Sequence, residues 1–467
     1  MLFRQFYEPY LAQYSYMVAC PATGEAMIVD PLRDIDRYLQ AAEVHRMRIT
    51  HVTETHIHAD FLSGARALAE ATGAELLLSD EGGPDWQYAF SHTGLQDGDV
   101  FRVGNIEVRV HHTPGHTPEH LSFLLSDAKA GGDPAMILTG DFVFVGDVGR
   151  PDLLELAAGE KDTSVPMARA LRASLHRFRG LADDVLLWPG HGAGSACGKS
   201  LGAVPVSTVG YEKRTNWALQ EEDERLFISR LLAGQPDPPR YFAKMKMWNR
   251  SGERASRPFM PPKRLSLHQL EKLLDGALII DARHKGAFAA GHIPGSINIQ
   301  NIPHFTSWVG RSIDYDSPLV LIAPESEVER LGLALYRIGV DNIAGYFADL
   351  NYWRRSGHSL TTLAQVSSAT LFSQMQANQV FVVDVREQSE FEEGHLPGAV
   401  SMPGGRLPQQ YPQLTTDKPV VVYCGSGDRS SIAASFLRRH GMDNVINLSD
   451  GYQGWLDAGF PTQQGTR

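Results

Sequence analysis

Six side chains able to hold a metal recur along the first part of this chain, each just past a short apolar run. His56, His58 and Asp60 stand in Thr55-His-Ile-His-Ala-Asp-Phe61, His116 in Pro114-Gly-His-Thr-Pro118, Asp141 in Thr139-Gly-Asp141, and His191 in Pro189-Gly-His191. Imidazole and carboxylate donors together suit zinc or a first-row transition metal. A lone loop histidine is unremarkable; this set, in this order and each after an apolar strand, is a metal site. A second chemistry lies far downstream, in Val420-Val-Val-Tyr-Cys424-Gly-Ser-Gly-Asp-Arg429. The stretch predicts a strand, a tight loop and a helix. Loop amides and a helix N-terminus around Cys424 favour a thiolate, and then a persulfide anion, over the neutral thiol. Gly425, Ser426, Gly427 and Asp428 form the persulfide loop, and Arg429 adds a guanidinium fork for an anionic donor such as thiosulfate.

Both sites need strands that end together. Ala26-Met-Ile-Val-Asp30, Ile49-Thr-His-Val-Thr53, Val108–His111, Ala135-Met-Ile-Leu-Thr139 and Val185-Leu-Leu-Trp188 read as buried strands closing in polar or Gly-rich turns. Asp34 to Arg46 has apolar residues at helical spacing. Residues 246–262 are basic, Pro-containing and aperiodic, and are expected to be a linker or an extended wrap. Beyond them the chain repeats itself. Asp281-Ala-Arg283 and Gly291-His-Ile-Pro-Gly295 recur as Asp384-Val-Arg386 and Gly394-His-Leu-Pro-Gly398, and Trp353 recurs as Trp455. A period of about 100 residues means two copies of one domain rather than a solenoid. Each copy alternates apolar strands with helices, as a parallel α/β sheet does. Where the second copy has its cysteine loop, the first reads Ile322-Ala-Pro-Glu-Ser-Glu-Val-Glu329, with Glu325, Glu327 and Glu329 to repel an anionic donor. Residues 263–358 are therefore expected to be inert in sulfur transfer, a spacer or docking unit.

The bulk composition narrows the function classes. A chain of 467 residues exceeds one core, and 43% hydrophobic with 21% charged residues is ordinary for a globular protein. A net charge of -11 argues against nucleic acid as a partner, though a small anion needs only a local basic pocket. No secretory signal and no apolar run of spanning length is visible, so a cytoplasmic protein without membrane association is expected. Three cysteines, Cys20, Cys197 and Cys424, read as free thiols in a reducing compartment. Homo-oligomerisation is left open.

The metal-site motifs resemble the metallo-β-lactamase superfamily over residues 1–245. The departure is at Phe61: dinuclear zinc hydrolases of that superfamily carry His-x-His-x-Asp-His, and phenylalanine offers no lone pair to a second metal. A single metal is expected. Persulfide dioxygenases of this fold hold one iron with two histidines and an aspartate, which implies His56, His116 and Asp141 as ligands of one Fe(II) per chain. His58, Asp60, His191 and Arg150 would then line the pocket or orient ligands and bound water. Val148-Gly-Arg-Pro-Asp152, Gly190-His-Gly-Ala-Gly-Ser-Ala-Cys-Gly-Lys199 and Tyr211-Glu-Lys-Arg214 also resemble this branch. Lys199, Lys213 and Arg214 are candidates for a basic patch binding an anionic thiol carrier, against the plainer readings that Lys213 and Arg214 are solvated helix charges and that Arg150 pairs with Asp152. Cys197 is either a small buried residue or a thiol that relays sulfane sulfur near the metal; Cys20 reads as structural. Residues 359–467 resemble a rhodanese, the loop from Cys424 to Arg429 being one residue shorter than the phosphate cradle of cysteine phosphatases.

The implied fold is multidomain α/β: an αβ/βα sandwich of the metallo-β-lactamase kind followed by two rhodanese-like domains with parallel sheets. The implied activity is oxidation of glutathione or coenzyme A persulfide by dioxygen to sulfite, with the Cys424 persulfide interconverting sulfite and thiosulfate, a route of sulfide detoxification. Two rivals stand beside it, a glyoxalase II-like zinc thiolester hydrolase fused to a rhodanese, and a sulfur-binding sensor with a vestigial metal site.

Overall fold

The structure, a computed structural model, describes residues 1–158, 162–254 and 257–465. Contacts divide the chain into two compact units, Met1–Phe259 with Ala334–Gly339, and Met260–Leu333 with Val340–Arg467. The two repeats thus share one unit.

In the first unit two six-stranded sheets face each other. The first begins as the antiparallel strands Leu2–Glu8, Gln13–Cys20 and Glu25–Val29, then adds Arg48–Thr53, Glu75–Ser79 and Thr93–Leu95 in parallel. The second runs Val100–Val103, Ile106–His112, Leu121–Asp127 and Pro134–Gly140 antiparallel, with Leu186–Pro189 parallel to the last and Ser207–Thr208 at the edge. The strand Gln13–Cys20 shows why a sandwich forms. Tyr14, Tyr16, Val18 and Cys20 enter the core between the sheets, beside Val108, Phe123 and Leu138, whereas Met17 and Ala19 join the outer cluster under the helices Asp36–His45 and Ala65–Thr72. Side chains alternate across a strand, so a run buried throughout needs cover on both faces. The second sheet is covered by Ser164–Phe178 and Glu224–Leu232, whose Leu171, Leu175, Phe178, Phe227 and Leu231 pack on Leu124, Ile137 and Leu187. Helix, sheet, sheet, helix is the expected order of layers.

The second unit holds two parallel sheets. One orders Ile297–Asn298, Leu278–Asp281, Leu319–Ile322 and Ile343–Phe347; the other orders Ala364–Val366, Val445–Leu448, Val420–Tyr423, Phe381–Asp384 and Val400–Ser401. Their middle strands are continuously apolar because both faces are buried. The repeated motifs are clasps rather than chemistry. Arg283 donates to Asp281 and to the Gly291 carbonyl, and Arg386 does the same with Asp384 and Gly394. Asp281, Asp384 and Arg386 are buried and Arg283 is half-buried, each paired with its partner, which is how a buried ion is tolerated. His292 and His395 each donate from Nδ1 to a carbonyl one helical turn back, Phe288 and Phe391 at 2.8 Å, and stack on those rings with centroids 3.7 Å apart. Trp353 and Trp455 each donate from Nε1 to a carbonyl a few residues on, Ser359 and Pro461.

The expected linker needs correction at its start. The helix Tyr241–Ser251 runs through Lys246 to Ser251, burying Tyr241, Phe242, Met245 and Trp248 on one face. The basic residues of Lys244-Met-Lys-Met-Trp-Asn-Arg250 hid that apolar stripe, because lysines between the buried positions lower the mean hydropathy of a helix without interrupting its seam. Residues 255 and 256 of that segment, and 466 and 467 of the last domain, lie outside the described residues.

Trp455 is fully buried, whereas Tyr352 is 46% exposed. Trp455→Ala is expected to cost about 3–5 kcal/mol and Tyr352→Ala under about 0.5 kcal/mol, read as shifts in the urea midpoint followed by far-ultraviolet circular dichroism.

Candidate metal centre and cysteine loop

Asp141 follows the strand Pro134–Gly140 and is wholly buried. Its backbone N–H donates to His120 Nε2 at 3.1 Å, and its Oδ1 accepts from His191 Nδ1 at 2.7 Å. Oδ2 has no hydrogen-bond partner among the described residues. That oxygen lies 3.5 Å from His116 Nε2 and 4.0 Å from His56 Nε2. The surroundings dictate which ring nitrogens are bare. Thr55 Oγ1 donates to Asp30 Oδ2 at 3.0 Å, so it can only accept from His56 Nδ1, 2.9 Å away. The Arg150 carbonyl likewise accepts from His116 Nδ1 at 3.0 Å. Both Nε2 atoms are therefore unprotonated and aimed, with the orphaned oxygen, at one point.

The donors of these three residues lie within 4.8 Å of one another. Ligands about 2.1 Å from one cation stand about 3–3.7 Å apart, and the 3.5 and 4.0 Å gaps from Asp141 Oδ2 to the two imidazoles lie within that range or a few tenths of an ångström beyond it. Burial holds the His56 imidazole well below its usual range and pushes His116 down to about 4 despite the neighbouring Asp141 carboxylate. Burial alone would raise the Asp141 carboxyl; the His191 cation reverses that and holds it far below the usual range. All three donors are deprotonated at neutral pH, the state a metal requires.

The other expected pocket residues brace this set. His191 donates at Nε2 to Asp60 Oδ2, 2.8 Å away, as well as to Asp141, so a single imidazolium is clasped by two carboxylates. Burial opposes that charge, and the Asp141 and Asp60 carboxylates outweigh it, raising the His191 imidazole well above its usual range. His58 is turned away from the cradle: its Nε2 meets Asp30 Oδ1 at 3.0 Å, and its ring packs between His56 and Phe61, centroids 4.2 and 4.3 Å away. Burial would lower the His58 imidazole, but Asp30 lifts it to about 9. Phe61 is completely buried. Asp60, His191 and Cys197 form a second group of close donors, yet both His191 nitrogens are already committed to carboxylates.

Several candidates are placed elsewhere than expected. Arg150 is buried in a two-pronged pair with Asp152, at 2.8 and 2.7 Å, and also donates to the Ala196 and Pro236 carbonyls. It ties loops together, and only its carbonyl serves the site. The expected basic patch needs correction. Lys199 donates to the Arg230 and Ala233 carbonyls, and Lys213 to the Leu181 carbonyl and Asp183, because each ammonium meets helix-end carbonyls before it meets solvent. Arg214 is exposed near Asp183. Cys197 is buried, and burial pushes its thiol up to about 12, so it is a neutral thiol beside His191. Cys20 is buried in the inter-sheet core.

Sequence reasoning missed His120, Thr55 and Asp30. His120 sat in view in Pro118-Glu-His120, but a histidine that accepts from the backbone of a ligand rather than binding metal has no spacing of its own. Asp30 ends the strand Glu25–Val29 at φ 52° and holds both Thr55 and His58.

In the second unit Cys424 is buried between the strand Val420–Tyr423 and the helix Asp428–Arg439. Gly427 N–H donates to its Sγ at 3.2 Å and Ser430 Oγ at 3.5 Å. Arg429 is engaged differently from the expectation. Its guanidinium grips Glu390 with two bonds, at 2.6 and 2.8 Å, so its fork is not open to a donor while that pair stands. The middle copy carries the helix Glu325–Arg337 in the corresponding place, with Glu325 and Glu327 in its first turn.

Metal retention is expected to be flat from pH 8 to about 5 and to fall only as the pH approaches 4, because protons compete for the two imidazoles only near their lowered pKa values; exposed histidines would release metal near pH 6.5. Metal content after gel filtration at each pH checks this. A Cβ at residue 149 would fall 1.8 Å from the Asp141 carbonyl oxygen, so Gly149→Ala is expected to lower metal stoichiometry at least about tenfold in the same assay.

Comparison with known proteins agrees with this anatomy. The metallo-beta-lactamase superfamily matches residues 9–191, and the rhodanese-like domain matches residues 266–355 and 368–458. A crystal structure of a metallo-beta-lactamase from Staphylococcus aureus subsp. aureus COL is 43% identical, with a TM-score of 0.69, over 74% of this chain and 99% of that one. Hydroxyacylglutathione hydrolase of Polaromonas sp. (strain JS666 / ATCC BAA-500) is 31% identical over 38% of this chain and 61% of its own length. Mitochondrial persulfide dioxygenase ETHE1 of Homo sapiens is 28% identical over 41% of this chain and 68% of its own. The beta-lactamase hydrolase-like protein of Xylella fastidiosa (strain 9a5c) is matched over 54% of its length, so the chain spans little more than half of several curated relatives. With its donor-lined sandwich and its duplicated cysteine-loop fold, the chain belongs to the metallo-beta-lactamase superfamily and carries two rhodanese-like domains behind that domain.

Proposed function

We propose that the chain oxidises the terminal sulfur of glutathione or coenzyme A persulfide to sulfite at a single Fe(II), and that Cys424 exchanges sulfane sulfur between sulfite and thiosulfate. The observation that carries this reading is the cradle of His56 Nε2, His116 Nε2 and the orphaned Asp141 Oδ2, a two-histidine, one-carboxylate set in the same chain as a buried cysteine loop. When bound there, ferrous iron supplies activation of dioxygen with coordination positions left for an anionic sulfur.

The chain's own residues make that chemistry one-sited. His191 and Asp60 hold Asp141 so that one oxygen faces the cradle, and Thr55 and Arg150 fix the histidine tautomers. His58, charged and paired with Asp30, fixes the loop that carries His56. The first reaction takes a persulfide, dioxygen and water to a thiol, sulfite and two protons. In the second, the outer sulfur of the Cys424 persulfide is attacked by sulfite; the sulfur–sulfur bond to Cys424 breaks, its electron pair stays on the Cys424 thiolate, and thiosulfate leaves. Gly427 N–H and Ser430 Oγ stabilise that thiolate.

A second reading, a zinc thiolester hydrolase, is favoured by the likeness to hydroxyacylglutathione hydrolase. Against it, Phe61 fills the last position of the histidine motif and both nitrogens of His191 are held by carboxylates. An oxygen electrode supplied with glutathione or coenzyme A persulfide, on protein of measured metal content, separates the two. Oxygen uptake with one iron per chain is expected; two zinc ions with thiolester turnover and no uptake would overturn the proposal. Cys424→Ser is expected to abolish thiosulfate:cyanide sulfurtransfer while oxygen uptake on supplied persulfide stays within about twofold.

A further inference from the structure

The middle copy lacks a cysteine, yet it supplies contacts to the loop that has one. The helix Lys285–Ala290 begins with Lys285, whose Nζ donates to the Ser426 carbonyl and lies 3.0 Å from Asp428 Oδ1. Gln300 Nε2 donates to the same Asp428 oxygen at 3.0 Å, and its Oε1 accepts from the Lys285 N–H at 2.9 Å. Nearby, Asn298 accepts from Ser431 Oγ at 2.7 Å and donates its N–H to Ser435 Oγ at 3.0 Å, while Arg439 donates to the Gly295 carbonyl at 2.6 Å.

We propose that Lys285 is a positioning residue of the Cys424 loop, orienting its amide toward Sγ and cancelling the Asp428 charge so that the loop receives an anionic sulfur donor. The proposal rests on Cys424 being the sulfur carrier.

One peptide unit carries the first half of the argument. The Ser426 carbonyl and the Gly427 N–H belong to the same planar trans amide and point in opposite directions. Lys285 pulls on the oxygen end, and the nitrogen end meets Sγ at 3.2 Å. Gly427 has φ 88°, and a Cβ there would fall 2.4 Å from the Ser449 carbonyl and 3.0 Å from Lys285 Nζ, so the unit is boxed in from both sides.

Charge carries the second half. Asp428 suits the helix N-terminus it opens, but its carboxylate stands at the mouth of an anion receptor. Arg429 is itself paired with Glu390. Lys285 is the cation that offsets Asp428. By the alignment of Asp281, Arg283 and Gly291 with Asp384, Arg386 and Gly394, Lys285 corresponds to Gln388; the lysine belongs to the copy that faces the loop and not to the copy that owns it.

The test uses the full chain with K285Q, K285R and K285Q/D428N. Thiosulfate KM in the cyanide assay is expected to rise about three- to tenfold in K285Q, with kcat changed less, and to stay near wild type in K285R. Alkylation of Cys424, followed by peptide mass mapping, supplies a readout independent of turnover. The rate ratio of anionic iodoacetate to neutral iodoacetamide is expected to fall about threefold or more in K285Q and to recover in K285Q/D428N. A merely structural buttress would slow both reagents alike in K285Q and gain nothing from D428N, and that result overturns the proposal; so does a K285Q whose KM and ratio both match an active wild type. If K285Q is too unstable to assay, K285R is compared with wild type instead, and a K285R with collapsed ratio and raised KM overturns it as well. Wild type without any sulfurtransfer, combined with the ratio change in K285Q, would remove the carrier reading of Cys424 and leave the clamp standing.

Discussion

The first unit depends on how one buried carboxylate is held. Asp141 must be charged, oriented and only half satisfied, and each condition costs free energy in an apolar interior. Three contacts meet that cost: the His191 imidazolium on one oxygen, Asp60 behind that imidazolium, and His120 on the backbone nitrogen. With one oxygen committed, the other has a single direction left, toward His56 and His116. The loops after Glu25–Val29, Arg48–Thr53, Ile106–His112, Pro134–Gly140 and Leu186–Pro189 each contribute a piece of this arrangement, and so those strands must terminate together for the site to exist at all.

The second unit makes a different point with one fold used twice. The Asp–Arg clasp, the histidine stacked one turn from its phenylalanine, and the tryptophan closing the last helix are the same in both copies. They maintain buried charge and packing, and neither copy can lose them cheaply. The loop after the central strand is free of that duty. In one copy it keeps Cys424 and its amides; in the other the helix opens on glutamates. The loop differs while the scaffold persists, and the copy without a cysteine contacts the loop that has one.

Much of this was legible because the chemistry is local. The histidines of the metal cradle sit in Gly-His and His-x-His motifs, Asp141 follows Thr139-Gly140, and the strands before them are short, apolar and closed by turns. The exchange of Tyr423-Cys-Gly-Ser426 for Ile322-Ala-Pro-Glu325 between the copies is equally plain. Less visible was the helix at Tyr241–Ser251, whose apolar stripe is interleaved with Lys244 and Lys246. Lys199 and Lys213 were misread for the opposite reason: their charge is evident in sequence, but a long flexible ammonium goes to whichever carbonyl the fold brings near.

From the chain of residues alone came the candidate donors, the duplication, the loop without a cysteine and the lack of a lone pair at Phe61, because these depend on residue type and spacing. Tertiary structure decided the rest: which imidazole nitrogen is bare, which oxygen of Asp141 is unpaired, that His58 faces Asp30, that Arg429 is held by Glu390, and that Lys285 reaches the Cys424 loop. Those are matters of direction at hydrogen-bond range between residues far apart in sequence, and no one-dimensional pattern encodes an angle.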